Sequence, residues 1–169
     1  PAGVPDMTAR ETSGPRHLAF HPKQPWVYVI NELDSTVTAC RFDEATGELQ
    51  PFQILSSLAD TFTYNSRASE IEVNSTGRTL YASNRGEDSI AVFSIHQVSG
   101  RLTLIQTQSA LGKTPRFFAL NPSNLWMYVL NEDSDSIVTF GVNTQEGTLM
   151  PTPYVMQCGS PVCMVFSSR

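Results

Sequence analysis

Charged residues recur at matched positions along this chain, and their types suit chemistry on an anionic ester. One set is the pairs Arg16–His17, Ser69–Glu70 and Arg116–Phe117; the other is Glu32, Arg85 and Glu132, each directly after an Asn. The planar fork of an arginine makes two parallel bonds to a carboxylate or phosphate. A carboxylate between arginines has its pKa lowered and stays ionised. Together they could polarise an ester carbonyl, hold the oxyanion that develops, and orient or deprotonate a water. The same residues would also make a plain surface ring of ion pairs.

What must bring these positions together is a repeat. Asn31, Asn84 and Asn131 close the apolar runs WVYVIN, TLYASN and WMYVLN, stepping by 53 and then 47 residues. Gly47, Gly100 and Gly147 step identically, as do Pro15, Ala68 and Pro115. A period in this range with alternating apolar residues predicts propeller blades, each a meander of four antiparallel strands. The expectation is an all-β fold with blades at about residues 14–58, 67–111 and 114–158 and an inner strand, without companions, at 160–167. Propellers have roughly four to eight blades, so three blades and one strand are part of a larger ring. ADTFTYNS (Ala59–Ser66) accounts for the longer first step and is expected as a surface loop. Pro151 and Pro153 place the last strand of the third blade at an edge. In an antiparallel blade the start of strand one and the end of strand two share an edge. Both charged sets therefore converge on one mouth of the central channel. The repeated Asn is read as scaffold that bonds its turn. The residue after it changes sign between copies, which scaffold alone does not explain.

Other classes are disfavoured. A net charge of −5 offers no broad attraction for nucleic acid or an anionic membrane. No apolar run is long enough to span a bilayer and no signal-peptide core is present, so the expected location is cytoplasmic. Cys40, Cys158 and Cys163 form no CxxC and read as small apolar fillers. His21 and His96 read as exposed bystanders, and the histidines lack a metal-ligand spacing, so neither metal nor cofactor is expected. The absence of GxSxG argues against a serine-elbow hydrolase. Trp26, Tyr28, Trp126 and Tyr128 alternate within strands and are expected to pack between blades. The chain opens without Met on Pro, Gly and polar residues, as a segment of a longer protein would.

Five segments in order, GPRHLAFHP, VINELDSTV, SNRGEDSIAVF, GKTPRFFALNP and SPVCMVF, resemble the lactonase family of seven-bladed propellers. That family includes a bacterial 6-phosphogluconolactonase and fungal carboxy-muconate cyclase. The resemblance covers the chain from Gly14 onward and implies the C-terminal half of such a ring, with upstream blades of the same protein needed to close it. It implies hydrolysis of a small anionic lactone without a metal. The proposed family cluster matches Arg16, Glu32 and Arg85, with a histidine from an earlier blade, upstream of Pro1; His17, Glu70 and Arg116, from the same mouth, are expected as further substrate contacts. Muconate cycloisomerisation, or a non-catalytic propeller that docks a ligand or protein, is the alternative.

Overall fold

A four-stranded meander has two apolar faces, and alternation along its strands decides which neighbour each face meets. The computed structural model describes residues 7–167. It contains three four-stranded antiparallel sheets, each ordered as in the sequence. The first holds β1 (Pro15–Phe20), β2 (Trp26–Asn31), β3 (Thr36–Phe42) and β4 (Leu49–Ser56). The second holds β5 (Arg67–Val73), β6 (Thr79–Arg85), β7 (Ser89–Ile95) and β8 (Leu102–Ser109). The third holds β9 (Pro115–Leu120), β10 (Trp126–Asn131), β11 (Ser136–Val142) and β12 (Leu149–Gln157), with a 3-10 turn at Glu132–Ser134. First strands pack beside first strands, β1 on β5 and β5 on β9, so these form the inner wall. Pro151 and Pro153 lie on the edge strand β12, as expected. No helix of the described residues is long and apolar enough to cross a membrane.

Strand β6 shows the packing logic. Leu80 and Ala82 face the first blade, where they meet Tyr28, Ile30 and Ala39; Tyr81 points the other way, onto Phe118 and Met127 of the third. Each fully buried large apolar side chain here contributes about 1.5–3 kcal/mol. Polar clamps fix the spacing between blades. The Tyr28 hydroxyl donates to the Gly100 carbonyl at 3.0 Å, and Tyr81 repeats this on Gly147 at 2.8 Å. Gly100 has φ +71°, and a Cβ there would sit 2.6 Å from the Trp26 ring, so only glycine serves both turn and contact. The Gln53 amide pairs with both backbone groups of Leu102 (2.9 and 2.8 Å), and Gln106 does the same with Leu149 (3.0 and 2.7 Å).

The repeated Asn is scaffold, but with a longer reach than its own turn. Asn84 bonds Ser89 in its turn, and it also exchanges bonds with Ser57 of the preceding blade, at 2.8 Å to the carbonyl and 2.6 Å from the hydroxyl. Asn131 donates to the Ala110 carbonyl at 3.2 Å. Asn31 turns instead to Thr36 and Thr38 of its own blade.

One expectation needs correction, and two segments border on blades outside this chain. His21 is buried: its Nε2 meets the Gly77 carbonyl at 2.9 Å while Nδ1 accepts the N–H groups of Lys23 and Gln24. Proline 22 fixes a turn that folds the imidazole inward, onto Trp26 and the second blade. Trp126 is exposed and Tyr128 half-buried, on the face of the third blade opposite Met127 and Val129, the face that Tyr28 and Tyr81 turn to the following blade in the first two copies. Residues 161–167 carry no strand among the described residues, since an extended segment joins a ladder only against a partner. Phe166 instead packs on Tyr128, ring centroids 5.8 Å apart.

Two outcomes follow. Tyr81→Phe strips the Gly147 carbonyl of its partner and should cost about 1–2 kcal/mol in denaturant unfolding; an unchanged midpoint would remove the clamp. Burial, opposed by the Gly77 bond, holds the His21 imidazole below its ordinary 6.5. Its stabilising contribution is thus present above pH 6.5 and is lost as pH falls through the lowered folded value. Melting temperature against pH should show this acid limb in the wild type and lack it in His21→Ala.

Candidate active site

Each inner strand begins with a bulge, and the bulged residue is one of the charged set. Pro15 opposes Asn31 and His17 opposes Ile30, which leaves Arg16 as the extra residue. Arg116 is extra in the same way between Pro115 and Phe117. In β5 both Ser69 and Glu70 face Ser83, whose hydroxyl accepts the Glu70 N–H at 3.0 Å. A bulge adds twist and re-aims the side chain it carries. Strand direction thus brings the residues to one edge, and the bulges turn them toward each other.

Glu32 lies between two arginines of different blades. Its Oε1 receives Arg85 Nη2 at 2.6 Å, and its Oε2 is 3.5 Å from Arg16 Nε. Arg85 also donates to the Ala68 carbonyl at 3.1 Å, and Arg16 Nη1 to the Ser69 carbonyl at 2.9 Å. The three side chains are 19, 26 and 15 % exposed for Arg16, Glu32 and Arg85, enough shielding to strengthen the pairing beyond that of a surface bridge. Burial alone would raise the Glu32 pKa. The bond and charge of Arg85, with the charges of Arg16 and Arg67, outweigh it and hold the carboxyl below its usual range. Burial and the neighbouring Arg85 lower Arg16, partly offset by Glu32 and Glu70. Arg85 Nε is buried and has no acceptor among the described residues.

Beside this trio, His17 Nδ1 sits 3.1 Å from Glu70 Oε1, which also accepts the Ile71 N–H at 2.9 Å. Arg16 Nη1 is 3.2 Å from both imidazole nitrogens, so it lies over the ring rather than in line with either lone pair. Arg116 is drawn off to Glu132 at 3.3 Å, one blade along, and reaches the cluster only through its carbonyl, which accepts the Ser69 hydroxyl. Of the residues expected from sequence, Arg16, Glu32, Arg85, His17 and Glu70 therefore form one constellation, and Arg116 with Glu132 a separate pair. Among the described residues, no group of three His, Cys, Asp or Glu could hold a metal ion.

Two features escaped the sequence reading. The insertion returns to the site: Ser66 donates its hydroxyl to the Arg85 carbonyl at 3.1 Å, and the Asn65 carbonyl lies where a Cβ on Gly86 would fall (2.5 Å). With Leu33, Arg67 and Arg85 these residues line a cleft of about 530 Å³. The irregular repeat length was the signal. The second is Glu72, on the inner wall, whose Oε2 accepts the Leu120 N–H at 3.0 Å. Burial, opposed by that bond and aided by the charge of Glu70, pushes its carboxyl up to about 7.

Comparison with known proteins adds a family. The family model described as "Lactonase, 7-bladed beta-propeller" matches residues 2–166. A 6-phosphogluconolactonase of Bacillus subtilis is 39% identical over 154 residues, covering 91% of this chain and 44% of the relative. One from Formosa agariphila is 38% identical over 146 residues, covering 83% and 40%. Among solved structures, a protein from Lactobacillus plantarum matches with TM-score 0.90 at 30% identity, over 93% of this chain and 46% of that one. A periplasmic gluconolactonase of Pseudomonas aeruginosa matches with TM-score 0.89 at 29% identity, over 94% and 44%. The chain thus spans less than half the length of these relatives.

Glu72 supplies a test of the inner wall. Its folded pKa lies above the ordinary 4.5, so it binds an extra proton in the folded state, and stability is lost as pH rises through about 7. Glu72→Gln keeps an acceptor for Leu120 without a charge. It should raise the melting temperature at pH 8 more than at pH 5, and an equal shift at both would refute the assignment.

Proposed function

Because the chain belongs to the seven-bladed β-propeller lactonase family, we propose that it serves in hydrolysis of a sugar-acid lactone, with 6-phosphogluconolactone as the leading substrate. The observation that carries this is Glu32 bridging Arg16 and Arg85 across two blades at one mouth. The names of the curated relatives support the substrate class. The relatives' greater length supplies, in this reading, the blades that close the ring and the rest of the site. Free Cys40, Cys158 and Cys163 fit a reducing, cytoplasmic setting.

The division of labour follows from the geometry. Arg16 and Arg85 offer N–H donors to the lactone carbonyl, whose oxygen gains negative charge as water adds. Glu32 keeps both guanidinium groups aimed before substrate arrives, so little reorganisation is left for the reaction step. Its lowered pKa keeps it ionised but weakens it as a base, and its first role is to hold the arginines and orient the attacking water. His17, fixed through Nδ1 by Glu70, leaves Nε2 to take the proton of that water. The tetrahedral intermediate collapses with cleavage of the ring C–O bond. The imidazolium then returns its proton to the departing alkoxide, giving the open hydroxy acid. These steps use side chains alone.

Lactone hydrolysis by the full-length protein tests the reading. Arg85→Ala should lower kcat by roughly 100- to 1,000-fold, as removal of an oxyanion donor does. Glu32→Gln should lower it in the same direction while the fold melts normally. Activity retained in both variants would remove these residues from the site.

A further inference from the structure

The cleft beside Arg85 has a property that the lactone chemistry does not use. Arg67 opens β5 and stands directly opposite Arg85 in the β5–β6 ladder. Directly opposed residues have Cβ atoms about 4.5–5.5 Å apart, and like charges there repel. Only one member of this pair is neutralised. Arg85 has Glu32, whereas Arg67 is exposed and makes no ion pair among the described residues. The nearby carboxylates are committed elsewhere: Glu32 to Arg85 and Arg16, Glu87 to the Ala59 N–H and the Ser89 hydroxyl.

The repeat says that this arginine is not scaffold. Residues 53 before and 47 after Arg67 are Gly14 and Thr114, so the same place in the blade accepts no charge at all. The insertion that breaks the repeat ends at Ser66, immediately before Arg67, and brings Asn65 and Ser66 to the same cleft. At about 530 Å³ the cleft is within the range that takes a small ligand. It shares Arg85 with the catalytic trio, so a substrate with its carbonyl at Arg16 and Arg85 can extend into it.

We infer that Arg67 and Arg85, with Asn65 and Ser66, form a subsite for a phosphate carried by the lactone, and so set preference for phosphorylated over unphosphorylated substrate. An anion between the two guanidinium groups converts an opposed like-charge pair into a bidentate clamp. The inference rests on the proposed lactonase activity.

The test is the ratio of kcat/KM for 6-phosphogluconolactone to that for glucono-δ-lactone, measured on the full-length protein. A charge-assisted bond of this kind is worth about 1.5–3 kcal/mol, so Arg67→Ala should lower the ratio roughly 10- to 100-fold, chiefly through KM. Arg67→Lys should recover part of it, and inorganic phosphate should inhibit the alanine variant more weakly than the wild type. A ratio unchanged in Arg67→Ala, or equal losses on both lactones, overturns the subsite while leaving the lactonase reading intact. A wild-type protein inert toward both lactones overturns the two together.

Discussion

A four-stranded meander cannot cover its own faces, and this constraint organises everything else in the molecule. Each blade buries one face on the blade before and one on the blade after, so the strands must sit at a fixed distance. Apolar packing is non-directional and does not set that distance by itself. The directional bonds do. Tyr28 and Tyr81 reach across to the glycine of the next outer turn, and Gln53 and Gln106 imitate a strand by pairing with both backbone groups of one leucine. Such bonds tolerate only a few tenths of an ångström, so an error in one blade would be felt by the next.

With blade spacing fixed, the mouth of the channel can hold long polar side chains in register. Arg85 spans from β6 to Glu32 at the end of β2, a reach that works because Asn84, its neighbour, is bonded to Ser57 of the earlier blade. The scaffold Asn and the bridging arginine are thus adjacent for a mechanical reason. The bulges at Arg16, Glu70 and Arg116 complete the arrangement, since a regular strand would alternate these side chains between faces.

Much of this was legible in the sequence because it repeats. Three markers in common register gave the blades, the edge prolines gave the outer strand, and strand direction alone brought Arg16, Glu32 and Arg85 to one mouth. What stayed hidden depends on contacts between blades. The burial of His21 requires the Gly77 carbonyl, fifty-six residues away, to complete its bonding. Glu72 alternates like any strand residue, and only the approach of β9 reveals it as a half-buried acid bonded to the next inner strand. Bulges leave no mark in an alternation pattern that is only two or three residues long on either side. The segment at 160–167 reads as a first strand from the repeat register, yet a strand is a relation between two segments, and its companions lie outside the described residues.

The sign change after the repeated Asn now has a physical meaning. Glu32 and Glu132 occupy equivalent places but answer to different arginines. Glu132 pairs with Arg116 inside its own blade, closing that position off. Glu32 is only 3.5 Å from its own Arg16 and is drawn more closely, at 2.6 Å, to Arg85 of the next blade. Had residue 85 been glutamate, as the other copies have, two carboxylates would confront each other across the blades. Arginine at that place instead joins two blades through Glu32, and Arg67 opposite it makes no ion pair among the described residues. One inversion in a repeated scaffold therefore accompanies both the bridged carboxylate and the exposed arginine opposite it, and places the charged cluster between the first two blades and not between the second and third.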